Sequence, residues 1–211
     1  MEQERRAPVI SLEGGDGSGK TSVLEGIRRY LESIDVPFLI TREPGGVLIS
    51  ERIRDIVLDT VHEEMDPRTE ALLFAAARRQ HLAEKVFPAV KEGKWVVFDR
   101  YVDSSLVYQG FVRGIGIDAV YALNVFATES FLPDLTLYLD VPPEEGLKRI
   151  ERNQTREVNR LDLEALKFHE QVREGYWELV RRYPDRIKPV DASKDLESVI
   201  QSVIKEIELL R

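Results

Sequence analysis

No cysteine occurs in the 211 residues, which excludes disulfides, thiolate metal sites and cysteine nucleophiles together. Nor does any apolar run approach the roughly 18 residues of a membrane span. The opening "MEQERRAPVI" is charged and lacks an apolar targeting core, so the expected setting is the reducing cytoplasm. Histidine is scarce: His62, His81 and His169 lie far apart, outside any ligand-spaced motif, and read as ordinary helix-surface or partly buried residues. Basic residues are in deficit, 30 against 38 acidic ones, for a formal net charge of -8. A broad nucleic-acid surface needs Lys and Arg to neutralise many phosphates, so that class is set aside. Also missing is an Asn-Lys-x-Asp tetrapeptide, the base-reading element expected of a guanine-nucleotide switch.

What is present is an alternation. Short apolar runs at 9–13, 38–41, 95–99, 135–141 and 186–190 are separated by stretches of helical period, the pattern of βαβ units around a parallel sheet. Helices are expected over 20–34, 50–58, 68–92, 118–129, 144–152, 163–182 and 196–210, with Pro88 kinking or breaking the third near its end. There is no internal repeat or linker, so one domain is expected over 1–211. The polar, arginine-rich segment "ERNQTREVNRLD" (151–162) stands apart and reads as a mobile surface segment.

"EGGDGSGKTS" (13–22) places Gly14, Gly19, Lys20 and Thr21 in the pattern G-x-x-x-x-G-K-[ST], after a strand and before a helix. From average glycine usage this arises by chance in roughly one such chain in a hundred. The glycines, with Gly15 and Gly17, let successive N–H groups face one anion, and the helix N-terminus adds its positive end. Ser18 and Ser22 complete the loop; Lys20 reaches the outer phosphates and the Thr21 hydroxyl joins a Mg²⁺ shell. The bland alternative, a glycine-rich helix cap, is disfavoured by the flanking strand and helix. Switching lacks its motif and motor-type hydrolysis lacks spare length, which leaves phosphoryl transfer.

Residues just beyond the carboxyl ends of parallel strands line the ligand crevice. "TREPGG" (41–46) and "DRYVDSSLVYQG" (99–110) stand at two such ends, so Arg42 and Arg100 can clamp a phosphate bidentately. Asp99 either holds Mg²⁺ or orients Arg100. Phe74 and Arg78, four apart on a helix, share a face where a ring can stack on a base and a guanidinium can donate to it. The alternative is a core phenylalanine with a surface arginine.

The set "EGGDGSGKT", "TREPGG", "TEALLFAAARRQH", "DRYVDSSLVYQG", "PDLTLYLDV" and "NRLD...FHEQVREGYWEL" closely resembles bacterial thymidylate kinases, which phosphorylate dTMP with ATP. The resemblance runs from about Val9 to Tyr183. It implies a P-loop NTPase-type α/β three-layer sandwich: a five-stranded parallel sheet flanked by helices, with a short lid at 151–162. It implies that Phe74 stacks on thymine, Arg78 bonds its carbonyl edge, and Arg42 and Arg100 hold the dTMP phosphate. Asp16 matches an acidic residue near the sugar 3'-hydroxyl and the metal waters, Tyr108 a tyrosine that crowds the 2' position, and Ser105 a polar residue near the base. Adenine is expected near 190–195, and a homodimer through the helices of 118–129 and 68–92.

Of Arg149, Arg152, Arg156 and Arg160, which would lie roughly along one side if the segment became helical over the ligand, Arg156 and Arg160 in "REVNRLD" best match the family's lid arginines. Gly17 rather than an arginine follows Asp16, so the chain resembles the lid-arginine type. The paired-surface alternative sets these arginines against Glu151 and Glu157. Val47 replaces the Thr that usually follows "EPGG", removing a hydroxyl near the acceptor phosphate. Two rival readings are a kinase for another deoxynucleotide and a catalytically silent nucleotide-binding protein.

Overall fold

A computed structural model describes residues 7–152 and 166–211. Its sheet has five parallel strands, β1 (Val9–Glu13), β2 (Phe38–Arg42), β3 (Trp95–Asp99), β4 (Leu135–Asp140) and β5 (Ile187–Asp191), in the order β2-β3-β1-β4-β5. β1 is central and pairs with β3 and β4. The chain crosses first to the β2–β3 side and then over β1 to β4. That reversal leaves a crevice beyond the carboxyl end of β1, where open α/β sheets take their ligands.

Helices cover both faces. They are α1 (Lys20–Ser33), α2 (Leu48–Leu58), α3 (Pro67–His81), α4 (Phe87–Lys91), α5 (Val102–Ser105), α6 (Ile117–Thr128), α7 (Pro143–Arg152), α8 (Leu166–Arg182) and α9 (Leu196–Glu208). Strand side chains alternate between faces, and the core divides accordingly. Ile10, Leu12, Val97, Leu137 and Leu139 pack with Val23 and Ile27 of α1 and Val199 and Val203 of α9. Val9, Val96, Phe98 and Tyr138 point the other way, onto Leu106, Val120, Val172 and Tyr176. The strands stand close to the sequence expectation, and the five-stranded parallel sheet is confirmed.

Three findings depart from it. The expected helix over 68–92 is divided: between α3 and α4 a π-helical turn spans Leu82–Val86, and the Phe87 N–H reaches back to the Leu82 carbonyl. Pro88 has no N–H for an ordinary helical bond to the Glu84 carbonyl, and the wider turn comes just before it. A short helix not anticipated from the sequence, α5, runs into a second π-helical turn, Leu106–Val112. Single π turns are frequent at functional sites, and this one carries Tyr108 and Gln109. His81 and His169 are buried more fully than the expected helix-surface or partly buried setting, His81 completely, and His62 is exposed in the connection between α2 and α3.

Candidate functional site

A cleft of about 550 Å³ opens beyond the carboxyl ends of β1, β2 and β3. Its floor is the turn between β1 and α1, residues 14–19, which includes Asp16, Gly17 and Gly19. Lys20 Nζ folds back to donate to the carbonyls of Gly14 (3.1 Å) and Gly15 (3.0 Å). Burial, with the Arg100 charge adding to it, pushes the Lys20 ammonium down to about 8. A phosphate replacing those carbonyls would restore its preference for the charged form.

The turn is wedged against α7. Gly17 has φ +75°, and a Cβ there would sit 2.1 Å from the Gly146 carbonyl oxygen. The converse contact is also too close for a side chain, with a Cβ on Gly146 falling 2.6 Å from the Asp16 carbonyl oxygen. Backbone meets backbone, so neither side yields by rotating a side chain. Gly146→Ala is therefore expected to distort the turn and raise the Kd for a nucleoside triphosphate about tenfold, within the usual cost of overpacking. Equilibrium titration checks this; an unchanged Kd would mean α7 gives way instead.

Arg100 follows β3 in the left-handed region, φ 65°, which costs a non-glycine residue roughly 1–3 kcal/mol unless its surroundings enforce it. They do. Its N–H donates to the Leu12 carbonyl (3.0 Å) and the next N–H, of Tyr101, to Glu13 Oε1 (2.7 Å). The guanidinium donates to Asp16 Oδ1 at 2.9 Å and to Ser104 Oγ at 3.3 Å, and lies 5.3 Å from the centre of the Tyr108 ring. Behind it the Glu13 carboxylate accepts from Ser11 Oγ, Ser104 Oγ and the Tyr176 hydroxyl. Burial foremost, with nearby Asp103 next, raises the Glu13 pKa above the ordinary carboxylate value, and those donors partly offset both.

The cleft also gathers Arg42, Phe74, Arg78, Asp99, Ser105 and Tyr108. Arg42 is half-exposed and turned onto α2, donating to both carboxylate oxygens of Glu51 at 3.0 Å. Glu51 also accepts from the Gly46 N–H (2.7 Å). Val47 stands at the N-cap of α2 without a side-chain cap bond. Arg78 is buried, not at the surface, and donates to Ser105 Oγ (3.1 Å). Two buried polar atoms in the cleft wall, Asp99 Oδ1 and the Tyr108 hydroxyl, have no hydrogen-bond partner among the described residues. Such atoms incur a desolvation cost unless a guest satisfies them. The donors of Arg100 go to Asp16, Ser104 and Tyr176, while Asp99 Oδ1 has no hydrogen-bond partner among the described residues, in a cleft that the exposed Thr21 also lines.

The comparisons with known proteins agree with this geometry. The family described as thymidylate kinase matches residues 12–203. The chain belongs to the thymidylate kinase family. It is 58% identical over 198 residues to the thymidylate kinase of Clostridium novyi, covering 94% of this chain and 97% of that protein. To the thymidylate kinase of Bacillus velezensis it is 54% identical, covering 94% and 93%. The crystal structure of thymidylate kinase from Ehrlichia chaffeensis superposes with a TM-score of 0.76 at 29% identity, covering 96% of this chain and 99% of that one.

Within this thymidylate kinase fold, Arg156 and Arg160 of the expected lid lie outside the described residues. Arg149 is described: on α7, it donates to the Ala192 carbonyl through both terminal nitrogens at 3.1 Å and pairs with Glu145. It thus ties α7 to the loop after β5 where adenine is expected. The sequence reading passed over Glu13, Glu43, Arg54, Ser104, Gln109 and Tyr176. Glu13 carried a signal of its own, as a carboxylate closing an otherwise apolar central strand. Glu43, Ser104 and Gln109 lie within the strand-end stretches 41–46 and 99–110 but were not singled out there, whereas Arg54 and Tyr176 become neighbours of the cleft through tertiary packing. No described helix is long and apolar enough to cross a membrane.

Proposed function

We propose that this thymidylate kinase transfers the γ-phosphoryl group of ATP directly to dTMP, giving ADP and dTDP. A phosphate oxygen of dTMP forms the new bond to the γ-phosphorus as the bond to the ADP oxygen breaks. No covalent enzyme intermediate is involved. The observation that carries this reading is the meeting, in one cleft, of the anion-binding turn with Lys20 and the strand-end arginines Arg42 and Arg100.

The turn, residues 14–22, holds the ATP phosphates through its N–H groups, with Lys20 on the outer ones. Arg100 holds the dTMP phosphate, and Arg42 joins it by leaving Glu51, an exchange of one anion for another. Phe74 stacks on the base, and Tyr108 crowds the 2' position. Asp16, tied to Arg100, faces the sugar 3'-hydroxyl. Asp99 and Thr21 would hold Mg²⁺, which supplies positive charge against the polyphosphate; the orphaned Asp99 oxygen fits that donor set.

Arg156, outside the described residues, is assigned by the resemblance to the role of bridging the moving phosphoryl group. Arg156→Ala is expected to lower kcat more than about tenfold, about 1.4 kcal/mol of barrier, and a smaller loss in steady-state assays would remove it from that role. A second copy of the chain is the expected partner, supported by the exposed Leu72 on α3 and Phe126 on α6, two helices that pack together. ADP release with ATP and a panel of deoxynucleoside monophosphates tests the whole reading. dTMP should be the preferred acceptor, whereas preference for another base, or release independent of any monophosphate, would overturn it.

A further inference from the structure

Behind the base-binding end of the cleft lies a buried polar chain with no assigned role. Glu43, in the loop after β2, accepts from Arg78 Nε through Oε2 at 2.6 Å, and its Oε1 lies 3.0 Å from His81 Nδ1. His81 Nε2 in turn bonds Thr41 Oγ1 at 2.8 Å. All four side chains are shut off from solvent. The loop closes over the histidine at Gly46, where φ is +87° and a Cβ would fall 2.8 Å from His81 Nε2.

A guanidinium has five N–H donors in a rigid fork. In Arg78, Nε goes to Glu43; Nη1 donates to Ser105 Oγ and to Asn124 Oδ1; Nη2 donates to the Tyr101 carbonyl at 3.1 Å. Asn124 is itself fixed by donating to the Val120 carbonyl at 2.8 Å. Four donors are thereby committed, and one Nη2 hydrogen is left without an acceptor among the described residues. Arg78 therefore has no rotameric freedom with which to follow a guest.

We propose that Glu43, braced by His81, is a positioning residue that holds Arg78 so that its one spare donor selects a base carrying a carbonyl, and rejects one carrying an amino group, at that edge. The inference rests on the function proposed above and deepens it. A fixed donor gains a hydrogen bond from a carbonyl oxygen and faces a second donor in an amino group. A loosened Arg78 could swing aside from that amino group and lose the discrimination. Carboxylate, imidazole and glycine act together: the carboxylate anchors Nε, His81 fixes the carboxylate, and Gly46 leaves room for the ring.

The test compares kcat/KM for dTMP and dCMP with ATP. Glu43→Gln removes the negative charge and one of the two acceptor oxygens that Arg78 Nε and His81 Nδ1 use separately, so the hold on the guanidinium fork is weakened. The expected result is a rise in KM for dTMP with kcat largely retained, and a dTMP-to-dCMP preference lowered about tenfold or more. ATP affinity, measured by calorimetry, should hold. His81→Leu should lower the preference in the same direction, while His81→Asn, whose amide nitrogen stands close to the Nδ1 position, should restore it. A preference unchanged in Glu43→Gln and in His81→Leu, or both substrates losing kcat/KM equally, would overturn the proposal. The unmodified enzyme keeps the two readings apart. If it forms no ADP with dTMP, the function itself fails; if it is active and the preference does not move, only the role of Glu43 fails.

Discussion

Lys20→Ala is expected to lower kcat by on the order of 10²–10³-fold, about 3–4 kcal/mol of barrier, with the fold intact. The fold should survive because Lys20 is the first residue of α1 and its ammonium rests on the carbonyls of its own turn, not on the core. The transition state spreads charge over the transferring group, and a cation already fixed and desolvated at that place costs little to reorganise. The same desolvation predicts a pH effect. Free, the ammonium titrates near 8; facing phosphates, it titrates higher. Binding then takes up a proton, so ATP affinity is fully present below about pH 8 and falls as pH rises above it. Calorimetry at several pH values measures that fall, and Lys20→Ala should abolish it.

Arg100→Ala is the second large expectation, with kcat/KM for dTMP reduced on the order of 10²–10³-fold. Arg100 stands between the Asp16 carboxylate, the Ser104 and Tyr176 hydroxyls and the face of Tyr108, so it is aimed before any substrate arrives. Removing it leaves Asp16 to repel an incoming phosphate. Arg100→Lys should recover little, because an ammonium offers neither the fork nor the planar stacking on Tyr108. Steady-state kinetics on both variants check this; a lysine variant close to unmodified activity would mean that charge alone suffices.

The middle of the sheet was legible from sequence because β1, β3 and β4 are nearly continuous apolar runs, the pattern of strands buried on both faces, while the edge strands β2 and β5 are shorter apolar stretches and only partly buried. The anion-binding turn was legible because its geometry is local: every residue it needs lies within 14–21. What local pattern could not disclose is what forms across long separations. Glu13 meets Tyr176, 163 residues away, and Glu43 meets Arg78 and His81 at 35 and 38 residues. The contact between Gly17 and Gly146 is of the same kind, since neither glycine's own neighbours call for it. The π-helical turn at 82–86 escaped because apolar periodicity does not distinguish a helix that widens for one turn, whereas at 102–112 no helix was expected at all. Pro88 marked where the long helix would be interrupted, but not how. Arg42 is legible as a strand-end cation, but its ion pair with Glu51 is not, and under the proposed function Arg42 exchanges that partner for a phosphate.

The proposed function requires the triphosphate grip and the monophosphate grip to open on one hollow. Competition against a single ligand that joins adenosine to thymidine through a polyphosphate bridge tests it most directly. The account predicts that one bridged molecule binds per chain, that ATP and dTMP each displace it, and that Lys20→Ala and Arg100→Ala each weaken it. Displacement by ATP alone, with dTMP binding undisturbed beside it, would contradict the claim.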